Sequence, residues 1–151
     1  MVTEDERYIK RCIDLAQLGL GKVAPNPMVG CVIVKDGSII GEGFHGTYGG
    51  PHAEIEAIKS VANFHDIVGA TVYVSLEPCS HFGKTPPCTV SLIDAKPKRV
   101  VIGSSDTNPS VSGKGIDRLK AEGIEVITGI LESECRDLNK RFFTFHEKRR
   151  P

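Results

Sequence analysis

The chain has 151 residues, 19 basic and 19 acidic side chains, a formal net charge of zero, and 40% hydrophobic content. This composition is that of one ordinary globular domain. It excludes a membrane span, because no apolar run approaches about 18 residues, and it argues against a strongly basic nucleic-acid groove. The five cysteines sit in a chain long enough to bury a core without staples. They point to reduced thiols and metal binding rather than disulfides, so the expected location is the cytoplasm. The charged first ten residues lack the apolar core of a secretory signal.

Thr3 followed by Glu6 has capping-box spacing, and Ile9, Cys12, Ile13, Ala16 and Leu20 recur at helical intervals. A first helix is expected, ending near Gly19 and Gly21. Pro25 and Pro27 force a turn or extended loop. Val29–Val34 is apolar without alternation, as in a strand buried on both faces. Asp36-Gly37 marks a hairpin turn, with a return strand over 38–45. A helix is expected over 53–62. Strands then fall at 71–76, 99–104 and 125–128, and helices at 87–95, 115–122 and 131–143. Strands alternating with helices imply parallel pairing. The fold class is therefore α/β, a three-layer α/β/α sandwich around a mixed five-stranded sheet. One domain over 1–145 is expected, with 146–151 a frayed tail or the start of a linker.

Three segments carry chemistry: Pro51-His52-Ala53-Glu54, Glu77-Pro78-Cys79 and Thr85-Pro86-Pro87-Cys88. A catalytic zinc takes three nitrogen or sulfur ligands and keeps a fourth position for water; His52, Cys79 and Cys88 supply such a set. Cys79 follows a predicted parallel strand, at the sheet edge where α/β folds bind ligands. His52 and Cys88 open helices, whose positive ends favour thiolate. Glu54, two residues after His52, can take a proton from metal-activated water and return it to a ring nitrogen and the departing amine. A His-x-Glu followed by a Pro-Cys pair is the pattern of zinc-dependent base deaminases, in which the Glu is not a ligand.

Here the two cysteines are separated by eight residues instead of two. That insert, with Pro25-Asn26-Pro27, Gly41-Glu42-Gly43-Phe44-His45, Asp106-Thr107-Asn108-Pro109 and Leu138-Asn139 before Arg141-Phe142-Phe143, resembles the deaminase domain of the bifunctional riboflavin-biosynthesis deaminase–reductase, a member of the cytidine deaminase-like superfamily. The resemblance runs over nearly the whole chain. It implies one zinc ion with a bound water, and hydrolysis of the 2-amino group of 2,5-diamino-6-(5-phosphoribosylamino)pyrimidin-4(3H)-one to ammonia. It also implies substrate contacts from Asn26, His45, Lys84, Asp106 and Asn108, and a hydrogen-bonding role near the metal for His81. The family usually continues into an NADPH-dependent reductase domain. The terminal Lys-Arg-Arg-Pro reads as a linker toward one, so no NADPH site is expected within these residues. The expected partners are the phosphoribosyl pyrimidine and a fused or separate reductase, with no nucleic acid or membrane; homo-oligomerisation stays open.

Other readings stand beside this one. His81, two residues after Cys79, would close the metal site into a structural one if it were a fourth ligand. Cys79 and Cys88 are alternatively plain buried thiols, and Asn26, His45 and Asn108 plain turn residues. Cys12, Cys31 and Cys135 read as core. Glu77 reads as structural, and Gly113-Lys114-Gly115 as a helix start rather than a phosphate loop. At the level of function the competitors are a cytidine, guanine or other nucleotide deaminase of the same fold, and a zinc-stabilised binding module without catalysis.

Overall fold

Thr3 opens the first helix with the reciprocal capping box its spacing predicts: Glu6 N donates to Thr3 Oγ1 at 3.1 Å and Thr3 N to Glu6 Oε1 at 3.0 Å. The computed structural model describes residues 2–24, 26–79, 88–105 and 113–140. Its helices are α1 (Glu4–Ala16), α2 (Ala53–Ser60), α3 (Cys88–Ala95), α4 (Lys114–Ala121) and α5 (Glu132–Leu138). Its strands are β1 (Gly30–Lys35), β2 (Ser38–Phe44), β3 (Thr71–Leu76), β4 (Arg99–Ser104) and β5 (Glu125–Thr128).

The strands form one five-stranded sheet in the order β2-β1-β3-β4-β5. β1 runs antiparallel to both β2 and β3, whereas β3, β4 and β5 are parallel. The hairpin turns at Asp36 and Gly37, with φ of 51° and 78°, the doubly left-handed turn that suits strand twist.

The uninterrupted apolar runs of β1, β3 and β4 follow from burial on both faces. Cys31, Ile33, Val72, Val74, Val100 and Ile102 pack toward Ala53 and Ala57 of α2, Leu92 of α3 and Ile116 and Leu119 of α4. The alternate residues Val32, Val34, Tyr73 and Val101 face Ile9, Cys12 and Ile13 of α1 and Cys135 of α5. Side chains alternate along a strand, so each strand contributes to both cores. Each aliphatic side chain so buried contributes about 1.5–3 kcal/mol. Cys12, Cys31 and Cys135 lie in these cores, as expected.

Several boundaries differ from expectation, each for a local reason. α1 stops at Ala16 and tightens into a 3₁₀ turn over Gln17–Gly19. α2 stops at Ser60, because Val61 turns extended (φ −72°, ψ 129°) and buries its side chain. Asn63 then accepts from His65 N and opens a 3₁₀ turn, Phe64–Ile67, that hydropathy did not suggest. β2 ends at Phe44, and His45 N turns inward to Val29 O at 3.1 Å. α5 begins one residue late, because Leu131 takes a left-handed φ of 53°, and is capped at Asn139. That helix ends at Leu138, short of the expected 143, because Asn139 leaves the helical conformation (φ −108°, ψ 15°); residues 141–143 and the tail 146–151 lie outside the described residues.

The placement of α2 decides where the site forms. A side chain at Gly43 of β2 would meet Ala53 O at 2.7 Å and collide with Ala57 N. The helix therefore lies directly on the strand backbone, and its first turn is carried to the end of β3. Among the described residues no helix is long and apolar enough to cross a membrane.

Candidate metal centre

Pro51 cannot continue a helix backwards, and His52 adopts the extended N-cap conformation (φ −73°, ψ 163°), with Glu56 N bonded to its carbonyl at 3.0 Å. Beyond β3, Glu77 N extends the pairing to Ser104 O at 2.9 Å. Pro78 then ends it, since it has no N–H to donate, and Cys79 emerges at the carboxyl edge of the parallel strands. Cys88 opens α3, with its N–H donating to Cys79 Sγ at 3.1 Å and Thr89 N bonding Cys79 O at 3.2 Å. One strand end and two helix starts thus meet.

The three ligand atoms of His52, Cys79 and Cys88 lie within 4.8 Å of one another. His52 Nδ1 is 3.2 Å from Cys88 Sγ and 3.9 Å from Cys79 Sγ. Tetrahedral zinc with its usual bond lengths separates ligand atoms by about 3.5–3.8 Å, so the triangle is of the right size. Two sulfurs and an imidazole nitrogen are also the donors zinc prefers. His52 is exposed, Cys79 half-buried and Cys88 buried, so the cluster opens to one side.

Protons are unevenly held in this cluster. The hydrogen bond from the Cys88 thiol, opposed by burial and helped by His52 and the Cys88 N–H, pulls Cys79 down to about 4. The same hydrogen bond and burial hold Cys88 far above the ordinary thiol range. This uneven sharing belongs to the metal-free chain; the expectation that helix starts favour thiolate concerns the zinc-bound site, where both sulfurs would bind deprotonated. The bond to Cys79 raises His52, against the effect of burial.

Glu54, in the first turn of α2, is only 4% exposed. Burial pushes its carboxyl up to about 7, against the lowering pull of its own backbone N–H and of His52. A carboxyl poised there takes and gives a proton near neutral pH.

Asn26, Pro27, Val29, His45, His52, Ala53, Glu54, Leu76, Glu77 and Cys79 line one cavity of about 310 Å³. His45 is buried; its Nδ1 lies 3.0 Å from Pro51 O and its Nε2 3.1 Å from Asn26 Nδ2. A carbonyl only accepts, so Nδ1 carries the hydrogen and Nε2 accepts from the Asn26 amide. Asn26 Oδ1 has no partner among the described residues.

Of the residues singled out from sequence, His52, Glu54, Cys79, Asn26 and His45 line this cavity and Cys88 closes the metal triangle. His81, Lys84, Asp106 and Asn108 lie outside the described residues. Glu77 has the structural role expected: its carboxylate accepts from Gly113 N at 2.9 Å and Gly115 N at 3.2 Å, neutralising the positive start of α4. The 113–115 run is accordingly a helix start, with Gly113 at φ 84°. Asn139, quoted from the sequence only as part of the family resemblance, has a side chain that reaches back to Met28 across the chain; spacing carries no signal for that contact.

A mixed sheet sandwiched by helices, with one histidine and two cysteines gathered at its edge, defines a zinc-binding deaminase class. The model of the cytidine and deoxycytidylate deaminase zinc-binding region matches residues 2–104, and the chain belongs to that family. Within it, the chain is similar to riboflavin-biosynthesis proteins. The chain is 52% identical over 139 residues to the chloroplastic riboflavin biosynthesis protein PYRD of Zea mays, covering 92% of this chain and 35% of that protein. It is 52% identical over 136 residues to the diaminohydroxyphosphoribosylamino-pyrimidine deaminase of Buchnera aphidicola, covering 90% and 91%. The solved diaminohydroxyphosphoribosylaminopyrimidine deaminase/5-amino-6-(5-phosphoribosylamino)uracil reductase of Thermotoga maritima superposes with a TM-score of 0.89 at 53% identity, over 97% of this chain and 42% of that one. The chain thus spans about a third of the maize protein, about two-fifths of the Thermotoga protein and nearly all of the Buchnera protein.

Proposed function

We propose that this chain hydrolyses 2,5-diamino-6-(5-phosphoribosylamino)pyrimidin-4(3H)-one to 5-amino-6-(5-phosphoribosylamino)uracil and ammonia. The observation that carries the reading is the convergence of three zinc-type ligand atoms within 4.8 Å beside a buried carboxyl pushed up to about 7, in a chain 52% identical to a deaminase of that name over 90% of its length.

His52 Nδ1 and the sulfurs of Cys79 and Cys88 would hold one zinc ion, with a water at the fourth position. When bound, zinc supplies Lewis acidity that makes water acidic enough to act near neutral pH. Glu54 accepts a proton at its carboxylate and hands it to the ring nitrogen next to the carbon under attack. It then takes the proton of the newly added hydroxyl and passes it to the departing amine, so that the C–N bond breaks, a carbonyl forms at the same carbon and ammonia leaves. His45 holds the Asn26 amide by its nitrogen, so Oδ1 is the atom turned to the donors of a diaminopyrimidine edge. Lys84 is assigned to the ribose phosphate as a point charge, Asp106 and Asn108 to the rest of the phosphoribosyl pyrimidine, and His81 to hydrogen bonding near the metal; these four rest on the family resemblance. A reductase, fused or separate, would use the product. The thiol ligands require a reducing compartment such as the cytoplasm.

Two observations weigh against the competing readings. The eight-residue separation of the cysteines differs from the two-residue separation of the general base-deaminase pattern, which disfavours a cytidine or guanine enzyme. A structural zinc module has no use for a buried carboxyl with a raised pKa. The test is ammonia release from the diaminopyrimidine phosphoribosyl compound, with and without a chelator, beside cytidine and guanine. Chelator-sensitive release from the first compound alone is expected. Release from cytidine or guanine alone would transfer the site to another substrate, and release from none would support the binding module.

A further inference from the structure

The segment 26–29 lines the cavity with Asn26, Pro27 and Val29, yet it belongs to no helix or strand. Its half-buried peptide groups therefore need partners from elsewhere. Val29 O is taken by His45 N at 3.1 Å, and Gly30 N by Ser75 Oγ at 3.1 Å. Met28 is satisfied differently. Its N–H donates to Asn139 Oδ1 at 2.7 Å and its carbonyl accepts from Asn139 Nδ2 at 2.9 Å.

A carboxamide is the side-chain group that, like a peptide, offers a donor and an acceptor side by side. Asn139 uses both on one residue and stands in for a missing β-strand neighbour. It is 3% exposed. It is also anchored, because its own N–H closes the end of α5 on Arg136 O at 3.1 Å, and α5 is pinned by Cys135 in the core shared with α1. The clamp thus ties a helix about 110 residues away in sequence to the loop that presents Asn26.

We infer that Asn139 is a positioning residue for the cavity: its two hydrogen bonds to Met28 hold the 26–29 loop, and so fix Asn26 beside His45 and His52. Among the described residues its side chain hydrogen-bonds Met28 and none of His52, Cys79, Cys88 or Glu54. The inference builds on the deaminase reading above for its effect on substrate and on geometry alone for its effect on the loop.

The test uses the zinc-loaded chain and two variants. Asn139→Asp is isosteric; it keeps the acceptor for Met28 N–H and places a second oxygen against the Met28 carbonyl. Cys135→Ala loosens the same helix without touching the loop, and serves as the control for lost stability. Asn139→Asp should raise KM about tenfold, the scale of one buried hydrogen bond, with zinc content unchanged and kcat much less affected. Cys135→Ala should lower Tm and leave KM near that of the parent. In parallel, amide hydrogen exchange over residues 26–30 should quicken at least about tenfold in Asn139→Asp, while exchange in β3 stays slow. If the parent releases no ammonia from the diaminopyrimidine, the deaminase reading falls, and the exchange measurement alone decides the clamp. Unchanged exchange over 26–30, or a KM shift no larger than that of Cys135→Ala, would overturn it.

Discussion

At the scale of single residues, the account assigns chemistry to groups whose surroundings differ sharply from water. Glu54 is buried at the start of α2 with its carboxyl pushed up to about 7, whereas Glu56, in the same turn, is half-buried and carries no such assignment. Glu54→Gln removes the proposed proton carrier but keeps the shape of the side chain. It should retain zinc and lose about 10²–10⁴-fold in turnover, read by metal analysis and ammonia release on the same preparation; full activity would remove Glu54 from the proton path. Much of this site was legible in the sequence, because ligand chemistry is written in residue type. His52, Cys79 and Cys88 carry donors that few other side chains offer, and each adjoins a proline that fixes the local backbone. Asn139 was not legible as a clamp, since an asparagine after a helix reads equally well as a cap, and its partner, Met28, is distant in the chain.

At the scale of elements, two contacts set how well the site is held. The first is the seat of α2 on β2. A methyl at Gly43 would press on Ala53 O and Ala57 N, and helix backbone cannot yield as a flexible side chain can. Gly43→Ala should cost about 1–3 kcal/mol in urea unfolding and weaken zinc binding as well, because His52 and Glu54 move with the helix. A stable variant with unchanged zinc affinity would show that the seat has slack.

The second contact ties α1 to the sheet. Asp5 accepts from Arg99 at 2.9 and 3.1 Å and from the Tyr73 hydroxyl at 2.7 Å. Burial by itself would raise the Asp5 carboxyl, but the Arg99 and Tyr73 hydrogen bonds outweigh it and hold it below its ordinary 3.8. A lowered folded pKa stabilises the protein fully above the unfolded value and loses that contribution as pH falls through the folded one. Asp5→Asn should therefore be less stable than the parent at neutral pH by about 1 kcal/mol, with the gap closing below about pH 3.8. A pH-independent difference would mean that shape, not charge, matters there. Strand positions β3 and β4 followed from their apolar runs, whereas the 3₁₀ turn at Phe64–Ile67 depends on an asparagine cap that hydropathy does not register.

At the scale of the whole molecule, the sheet divides the interior into two cores, and the metal centre sits at one edge of the division, where β3, α2 and α3 end or begin. That arrangement agrees with the three-layer sandwich expected from strands alternating with helices, whereas the order of strands was less readable. Sequence gives strand and helix alternation, but the antiparallel insertion of β1 between β2 and β3 is a pairing choice made in three dimensions. Because the ligands come from separate elements, zinc bound to the folded chain links those elements together. Zinc at about a hundred times its dissociation constant would add about 2.7 kcal/mol. Stripping it should lower Tm by about 5–10 °C in a chain of this size, with recovery on adding zinc back; an unchanged Tm would mean the elements hold their places without it.

The central claim is that one ion is bound by one imidazole and two sulfurs and keeps a place for solvent. X-ray absorption fine structure at the zinc edge of the loaded chain reads this directly. The account predicts two sulfurs at about 2.3 Å, one imidazole nitrogen at about 2.0–2.1 Å and one further light atom that is not an imidazole. A second imidazole or a third sulfur in the coordination shell would contradict it.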